Sequence, residues 1–186
     1  MPLHVNKKGI RAFGVAESFS RGDKRSKLGG VVMRGDLIID GFALGSAQVG
    51  GNDATSRILR MYRKLRRNDV NLIMLSGSVI SHYNVVDVDA VAKNSKVPVI
   101  CLTYNESSGI EDAIRRNFPD TYEEKITVYR RLGARYVLRL KTGFKLFVRS
   151  ANMSKTEAQR VLDAFTLQGA IPEPVRLAKL LARASS

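Results

Sequence analysis

Three carboxylates, Glu17, Asp53 and Asp87, stand far apart in the chain, each where an apolar segment meets a loop or a helix begins. Gathered together, such acids could hold one or two Mg²⁺ or Mn²⁺ ions, hard cations that take oxygen ligands. Metals held in this way activate water and offset charge on the group it attacks. Each acid also has an ordinary use. Glu17 could be a surface acid at a strand end, Asp53 a helix cap, and Asp87 a first-turn acid that meets the helix dipole. His82, Tyr83 and Asn84 lie just before Asp87. A histidine there could move a proton or contact phosphate, a tyrosine could stack on a base, and an asparagine could reach a base edge. The same three could equally be an exposed side chain, a core plug and a helix cap.

These residues depend on the stretch 71–87, NLIMLSGSVISHYNVVD. Residues 71–75 read as a strand whose apolar run, LIML, holds no polar residue, as in a sheet covered on both faces. The run stops at Ser76 and Gly77 and opens into a polar loop, and the carboxyl end of such a strand is where open sheets bind ligands. Ahead of it, residues 10–17, 28–33 and 37–44 read as three strands with short, turn-prone links, which predicts an antiparallel meander. Residues 54–67 read as a helix after Asn52 and Asp53. Ile58, Leu59, Tyr62 and Leu65 share one side, and Arg57, Arg60, Lys64 and Arg67 share another.

A short helix over 85–93, a buried strand over 97–103 and a helix over 110–117 follow, the last ended by Pro119. From Asp120 the pattern changes. Residues 122–132 read as a helix, and 136–141 and 144–149 as a hairpin across Thr142 and Gly143. Ser154 and Glu157 form a capping box that opens a helix to about residue 165. Pro172 and Pro174 precede a basic helix over 175–184. Crossovers between parallel strands are nearly always right-handed. A three-strand meander followed by two such crossovers is an α/β, ribonuclease H-like plan: a mixed sheet of three antiparallel strands then two parallel strands, flanked by helices, with a C-terminal hairpin and helices. In that plan the first and fourth strands are neighbours, which sets Glu17 beside Ser76 and Gly77. Residues 1–186 are expected to form one domain, with 120–186 as a C-terminal elaboration or a small subdomain.

Hydrophobic residues make up 44% of the 186, which suits a folded core rather than a disordered chain. No apolar run approaches the ~20 residues that span a bilayer. The N-terminus, MPLHVNKKGIRAF, lacks the apolar region of a secretory signal. The one cysteine, Cys101, can form no internal disulfide and sits in the apolar run VPVICLTY. A cytoplasmic protein without a membrane partner is the expectation. The net charge of +14 attracts polyanions, and nucleic acid, DNA or RNA, is the usual partner for such a field. Arg57, Arg60 and Lys64, with Arg21 and Arg25 in the loop 18–27, would track a nucleic-acid backbone. A solvated helix face and a merely basic surface give the same pattern.

GVAES at 14–18, GGVVMRGD at 29–36, IDGFALG at 39–45, GGNDAT at 50–55 and SHYNVVD at 81–87 together resemble the archaeal endonuclease dU family, formerly a domain of unknown function. The similarity runs from about residue 10 to 103 and more loosely through PEPVRLAKLLARA. The family is related to endonuclease V and shares its ribonuclease H-like fold. The resemblance implies Mg²⁺- or Mn²⁺-dependent cleavage of DNA at deaminated bases such as deoxyuridine, in DNA repair. Glu17, Asp53 and Asp87 would hold metal, and His82, Tyr83 and Asn84 would face an extruded base or its phosphate. The chain also departs from its relatives. Many of them carry an Asp pair where this chain has Ala16 and Glu17, and Asp-Gly where it has Ser76 and Gly77. Serine cannot serve as a charged metal bridge. Either the site is rebuilt from Glu17, Asp53 and Asp87, or the chain is a catalytically impaired nucleic-acid-binding protein that kept the fold.

Overall fold

The structure, a computed structural model, describes residues 9–185; most of the basic N-terminal stretch read above lies outside them. Strands β1 (Arg11–Ser18), β2 (Arg25–Arg34) and β3 (Ile39–Gln48) form the expected antiparallel meander. Helix α1 (Ala54–Lys64) leads to β4 (Leu72–Leu75), which pairs parallel with β1. A two-residue hairpin, β5 (Val79–Ile80) and β6 (Asn84–Val85), interrupts the path to α2 (Val88–Ser95). Strand β7 (Val99–Thr103) then pairs parallel with β4. Helices α3 (Glu111–Asn117) and α4 (Tyr122–Arg131) follow. The hairpin β8 (Tyr136–Arg139) and β9 (Lys145–Ala151) joins the main sheet through antiparallel pairing of β9 with β7. Helices α5 (Lys155–Phe165) and α6 (Glu173–Ala184) end the chain. The seven-stranded order is β3-β2-β1-β4-β7-β9-β8. The ribonuclease H-like plan is therefore present, and the C-terminal hairpin widens its sheet by two strands.

Strand alternation divides the core into two layers. Phe13, Val15, Ile73, Leu75, Val99 and Cys101 face α1 and α2. Ala12, Leu72, Met74, Ile100 and Leu102 face α5 and the start of α6. The side chains of Phe13, Ile73, Met74, Ile100 and Leu102 are fully buried. Each such burial contributes about 1.5–3 kcal/mol relative to an exposed side chain.

Helix α6 crosses β1 and β2 at very close range. A Cβ on Gly14 would fall 2.3 Å from the carbonyl carbon of Pro174, and one on Gly29 would fall 2.2 Å from the Ala178 oxygen. The basic helix at the end of the sequence is thus the cover of the first two strands. No described helix is long and apolar enough to cross a membrane.

Several boundaries differ from the expectation for local reasons. Helix α1 stops at Lys64, and Arg66 adopts a left-handed φ of 50° that ends the run. Asn84 and Val85 pair with Val79 and Ile80, so the second helix starts at Val88 and not at 85. Strands β2 and β3 extend to 25 and 48 because they pair with each other along that length. The capping box on α5 forms as read: Ser154 Oγ accepts from the Glu157 N–H, and the Glu157 carboxylate accepts from the Ser154 N–H.

Candidate functional site

The ends of β1 and β4 lie together, since Ser76 N–H donates to the Val15 carbonyl at 3.0 Å. Glu17 is therefore beside Ser76 and Gly77, as the strand order requires. The Glu17 carboxylate turns toward the β5–β6 turn. Its Oε2 accepts from the Ser81 N–H at 2.6 Å and the Ser81 hydroxyl at 2.8 Å. Ser81 Oγ is 2.5 Å from Ser26 Oγ on β2. Burial pushes the Glu17 carboxyl above its usual pKa, against the downward pull of the two Ser81 bonds. Oε1 has no hydrogen-bond partner among the described residues. Behind the strand end, Lys179 on α6 donates to the Glu17 carbonyl.

The turn that Glu17 holds is unusual. Ser81, His82 and Tyr83 take left-handed φ values of 47°, 56° and 62° in succession. Left-handed backbone costs roughly 1–2 kcal/mol for each non-glycine residue. Fixed partners offset that cost. The Ser81 carbonyl accepts from the Gly50 N–H at 2.7 Å. Lys125, only 2% exposed, sends its ammonium to the carbonyls of Gly50 at 2.9 Å and Gly51 at 2.5 Å, and to Asn52 Oδ1 at 2.7 Å. The Tyr83 carbonyl lies 3.4 Å from it, and the Phe118 ring centroid 4.6 Å. Burial lowers the Lys125 pKa. Tyr83 packs edge-on against His82 and Phe118, and His82 lies tilted against Phe118, so this pair belongs to an aromatic group with the residue that ends α3.

Asp53 occupies the N-cap position of α1 but makes no side-chain cap bond. Asn84 caps instead: its Oδ1 accepts from the Ala54 N–H at 3.0 Å. Asn84 Nδ2 donates to the Gln48 carbonyl at 2.9 Å and to Asp53 Oδ1 at 2.8 Å. Asp53 Oδ1 also accepts from the Gln48 N–H, and Oδ2 from Arg57 Nε at 2.8 Å. Burial works to raise the Asp53 pKa, yet these donors outweigh it and hold the carboxyl below its ordinary value. Asn84 is fully buried with both ends of its amide in use, so it reaches no ligand. Asp87 is a helix cap: its Oδ1 accepts from the Ala90 N–H at 2.9 Å.

These arrangements decide how well a divalent metal fits. Among the described residues, no three His, Cys, Asp or Glu side chains are gathered as a metal-binding group. Both oxygens of Asp53 are taken by protein donors, Asp87 spends one oxygen on a cap, and Glu17 Oε2 is taken by the two Ser81 donors. The acids as they stand do not fit the metal centre expected of Glu17, Asp53 and Asp87.

A cleft of 340 Å³ opens at the carboxyl ends of β4 and β7. Ser76, Gly77, Tyr104, Tyr129, Arg135 and Arg149 are among its walls. Arg135 donates to Thr103 Oγ1 and to the carbonyls of Asn105 and Ser107, fixing the loop after β7. Neither arginine is in an ion pair with a described residue. A second depression, 180 Å³, lies between α1 and β3, lined by Ser46, Arg57, Arg60 and Lys64. Arg25 bonds Ser46 at its rim and stands 3.9 Å from Asp53. Arg21 is exposed in the β1–β2 turn.

Sequence reading missed Lys125, Arg135, Arg149 and Lys179. For Lys125 a signal was present: with Tyr122, Ile126 and Tyr129 it falls on the apolar side of α4 at helical spacing. A lysine there has to find buried oxygens.

Comparison with known proteins gives one consistent result. The family model described as endonuclease dU matches residues 8–186. A UPF0215 protein of Pyrobaculum aerophilum is 37% identical over 172 residues, 92% of this chain and 91% of its own. The crystal structure of a protein of unknown function from Archaeoglobus fulgidus has a TM-score of 0.80 and 26% identity, covering 95% of this chain and 98% of that one. Endonuclease V of Ciona intestinalis, in complex with inosine-containing DNA, has a TM-score of 0.62 at 15% identity, covering 95% and 85%.

Proposed function

The chain belongs to the endonuclease dU family, and from that membership we propose that it recognises DNA carrying a deaminated base, deoxyuridine above all. The observation that carries this reading is the cleft at the ends of β4 and β7, with Arg135 and Arg149 in its wall and no described ion pair to either. A base can be read on its pairing edge only after it leaves the stack, and a mispaired base costs least to extrude. A volume of 340 Å³ accommodates a nucleobase with part of its sugar. The flanking phosphates would run over the basic depression of Arg57, Arg60 and Lys64, reached past Arg25 and Arg21. Such contacts set register on the backbone and carry no sequence information.

A second reading, metal-dependent cleavage at the same lesion, has one observation in its favour. Glu17 lines a small apolar recess together with Ser76 and Gly77, which also line the cleft, and its Oε1 is open. An ion there would supply an activated water. The acids present do not fit that ion as they stand, so this chain's own residues account for binding and base selection alone.

One experiment separates the readings. Oligonucleotides with a single deoxyuridine or deoxyinosine are incubated with the protein, with Mn²⁺ or with chelator. Tight, lesion-preferring binding without nicking is the expected result. Metal-dependent nicking that disappears in Asp53→Asn would establish cleavage instead. Equal affinity for lesion and undamaged DNA would overturn the first reading, and equal affinity with no nicking would overturn both.

A further inference from the structure

The hydrogen-bonding character of the cleft wall points to a specificity residue. Arg149 lies on β9 opposite Cys101. Its Nε donates to the Gly133 carbonyl at 3.1 Å and its Nη1 to the Ser78 hydroxyl at 3.0 Å. The guanidinium stands 5.8 Å from the Tyr129 ring centroid. Two anchors and an aromatic neighbour fix the plane of the group, while Nη2 makes no hydrogen bond to any described residue. Nearby, the Tyr104 hydroxyl is buried beside Ser76. Burial pushes its pKa up to about 12, so the hydroxyl keeps its proton. The carboxylate on the cleft wall is Glu106, which is exposed on the loop after β7.

Deamination exchanges an exocyclic amine, a donor, for a carbonyl, an acceptor. Cytosine becomes uracil and adenine becomes hypoxanthine. Arginine offers donors only and does not lose its proton. A hydroxyl can turn to accept from an amine; a guanidinium cannot. Resting on the reading that the cleft receives the extruded base, we propose that Arg149 is its specificity-determining residue. Its free Nη2 donates to the carbonyl that deamination creates and leaves the parent amine facing a donor. A site built to bond one polar group discriminates strongly against an analogue that cannot pair with it, because buried groups are then left unsatisfied. Ser78 acts as a positioning residue, since its hydroxyl holds Nη1.

The test compares affinities for oligonucleotides that differ only in deoxyuridine or deoxycytidine at one unpaired position, at fixed salt. The wild-type protein is expected to prefer deoxyuridine by tenfold or more. Arg149→Gln, which presents an amide oxygen as well as donors, should bring that ratio to within about threefold of unity, chiefly by improving deoxycytidine binding. Arg149→Lys, a donor without an acceptor, should keep the preference. A folded Arg149→Gln protein with an unchanged ratio overturns the assignment and leaves the cleft reading intact. If the glutamine variant does not fold, a folded Arg149→Lys protein that loses the preference overturns it equally. A wild-type protein with no deoxyuridine preference overturns the cleft reading itself.

Discussion

Asn84 Nδ2 lies 2.8 Å from Asp53 Oδ1, while the other end of the same amide caps helix α1 at Ala54. The residue after the helix's polar start is therefore held by a residue thirty positions later. Asn84→Ala should leave the Ala54 N–H without its partner and destabilise the fold by about 1–3 kcal/mol, read as a lower midpoint in urea. Asp53→Asn keeps an oxygen for Gln48 and Asn84 and gives up chiefly the Arg57 pair, which is partly exposed. It should cost under about 1 kcal/mol. A folded Asp53→Asn protein is what makes that variant a fair control for cleavage.

Lys125 ties the loop before α1 to the left-handed turn before α2 through oxygens from both. Lys125→Met keeps an apolar stem of similar length and removes the ammonium. Four oxygens then lose their donor, and the variant should be less stable by about 1–3 kcal/mol. Amide exchange should rise at Gly50, whose N–H bonds the Ser81 carbonyl, more than in β4. Uniform protection across both sites would show that the ammonium does not hold the turn.

The Glu17 carboxylate accepts from the Ser81 N–H and hydroxyl through Oε2. Glu17→Gln retains an oxygen for both Ser81 donors and should fold with an unchanged thermal midpoint, within a few degrees. Glu17→Ala should lower it, since two buried donors lose their acceptor. Adding Mn²⁺ to the wild-type protein should leave the midpoint where it is, because a ligand stabilises only a fold that binds it. A clear rise with Mn²⁺ that Glu17→Gln abolishes would reverse this view of the acid.

At the opposite end of the sheet, Arg67 joins Asp40 and Asp69, and Arg11 joins the same two acids. Hydrogen bonds from Arg67 hold the Asp69 pKa at about 2, and bonds from Arg11 and Arg67 lower that of Asp40. Both folded values lie below the unfolded value of about 3.9. Their contribution is therefore complete above that pH and is lost as pH falls toward 2. Thermal midpoints followed from pH 7 to pH 2 should decline from about pH 4, and Arg67→Met should flatten the decline.

Periodicity in the chain revealed every long element, because burying one face leaves a repeat of two or 3.6 residues in the sequence. The meander, the strand LIML and the capping box at Ser154 were legible for that reason. The β5–β6 hairpin was not. Its turn runs through Ser81, His82 and Tyr83, none of them the glycine that a left-handed backbone usually calls for. The position of Glu17 beside Ser76 followed from strand order alone. Its partner Ser81 did not, since a hydrogen bond between residues 64 apart leaves no local trace. The same holds for the basic side chains that secure the loops of the site. Lys125, Arg135, Arg149 and Lys179 all come from the part of the sequence read as an elaboration, and each bonds at least one residue of the first hundred or so.

The contact between Lys179 and the Glu17 carbonyl joins residues 162 apart. While the chain is being synthesised, the first two strands have left the ribosome long before α6 exists to cover them. Gly14, Gly29 and Val31 then lack their native cover, and that part of the sheet stays bare on one side until α6 is made. Native structure on that side waits for α6. Its speed is set by how quickly the last helix finds strands made at the start, a long loop closure of the kind that slows folding.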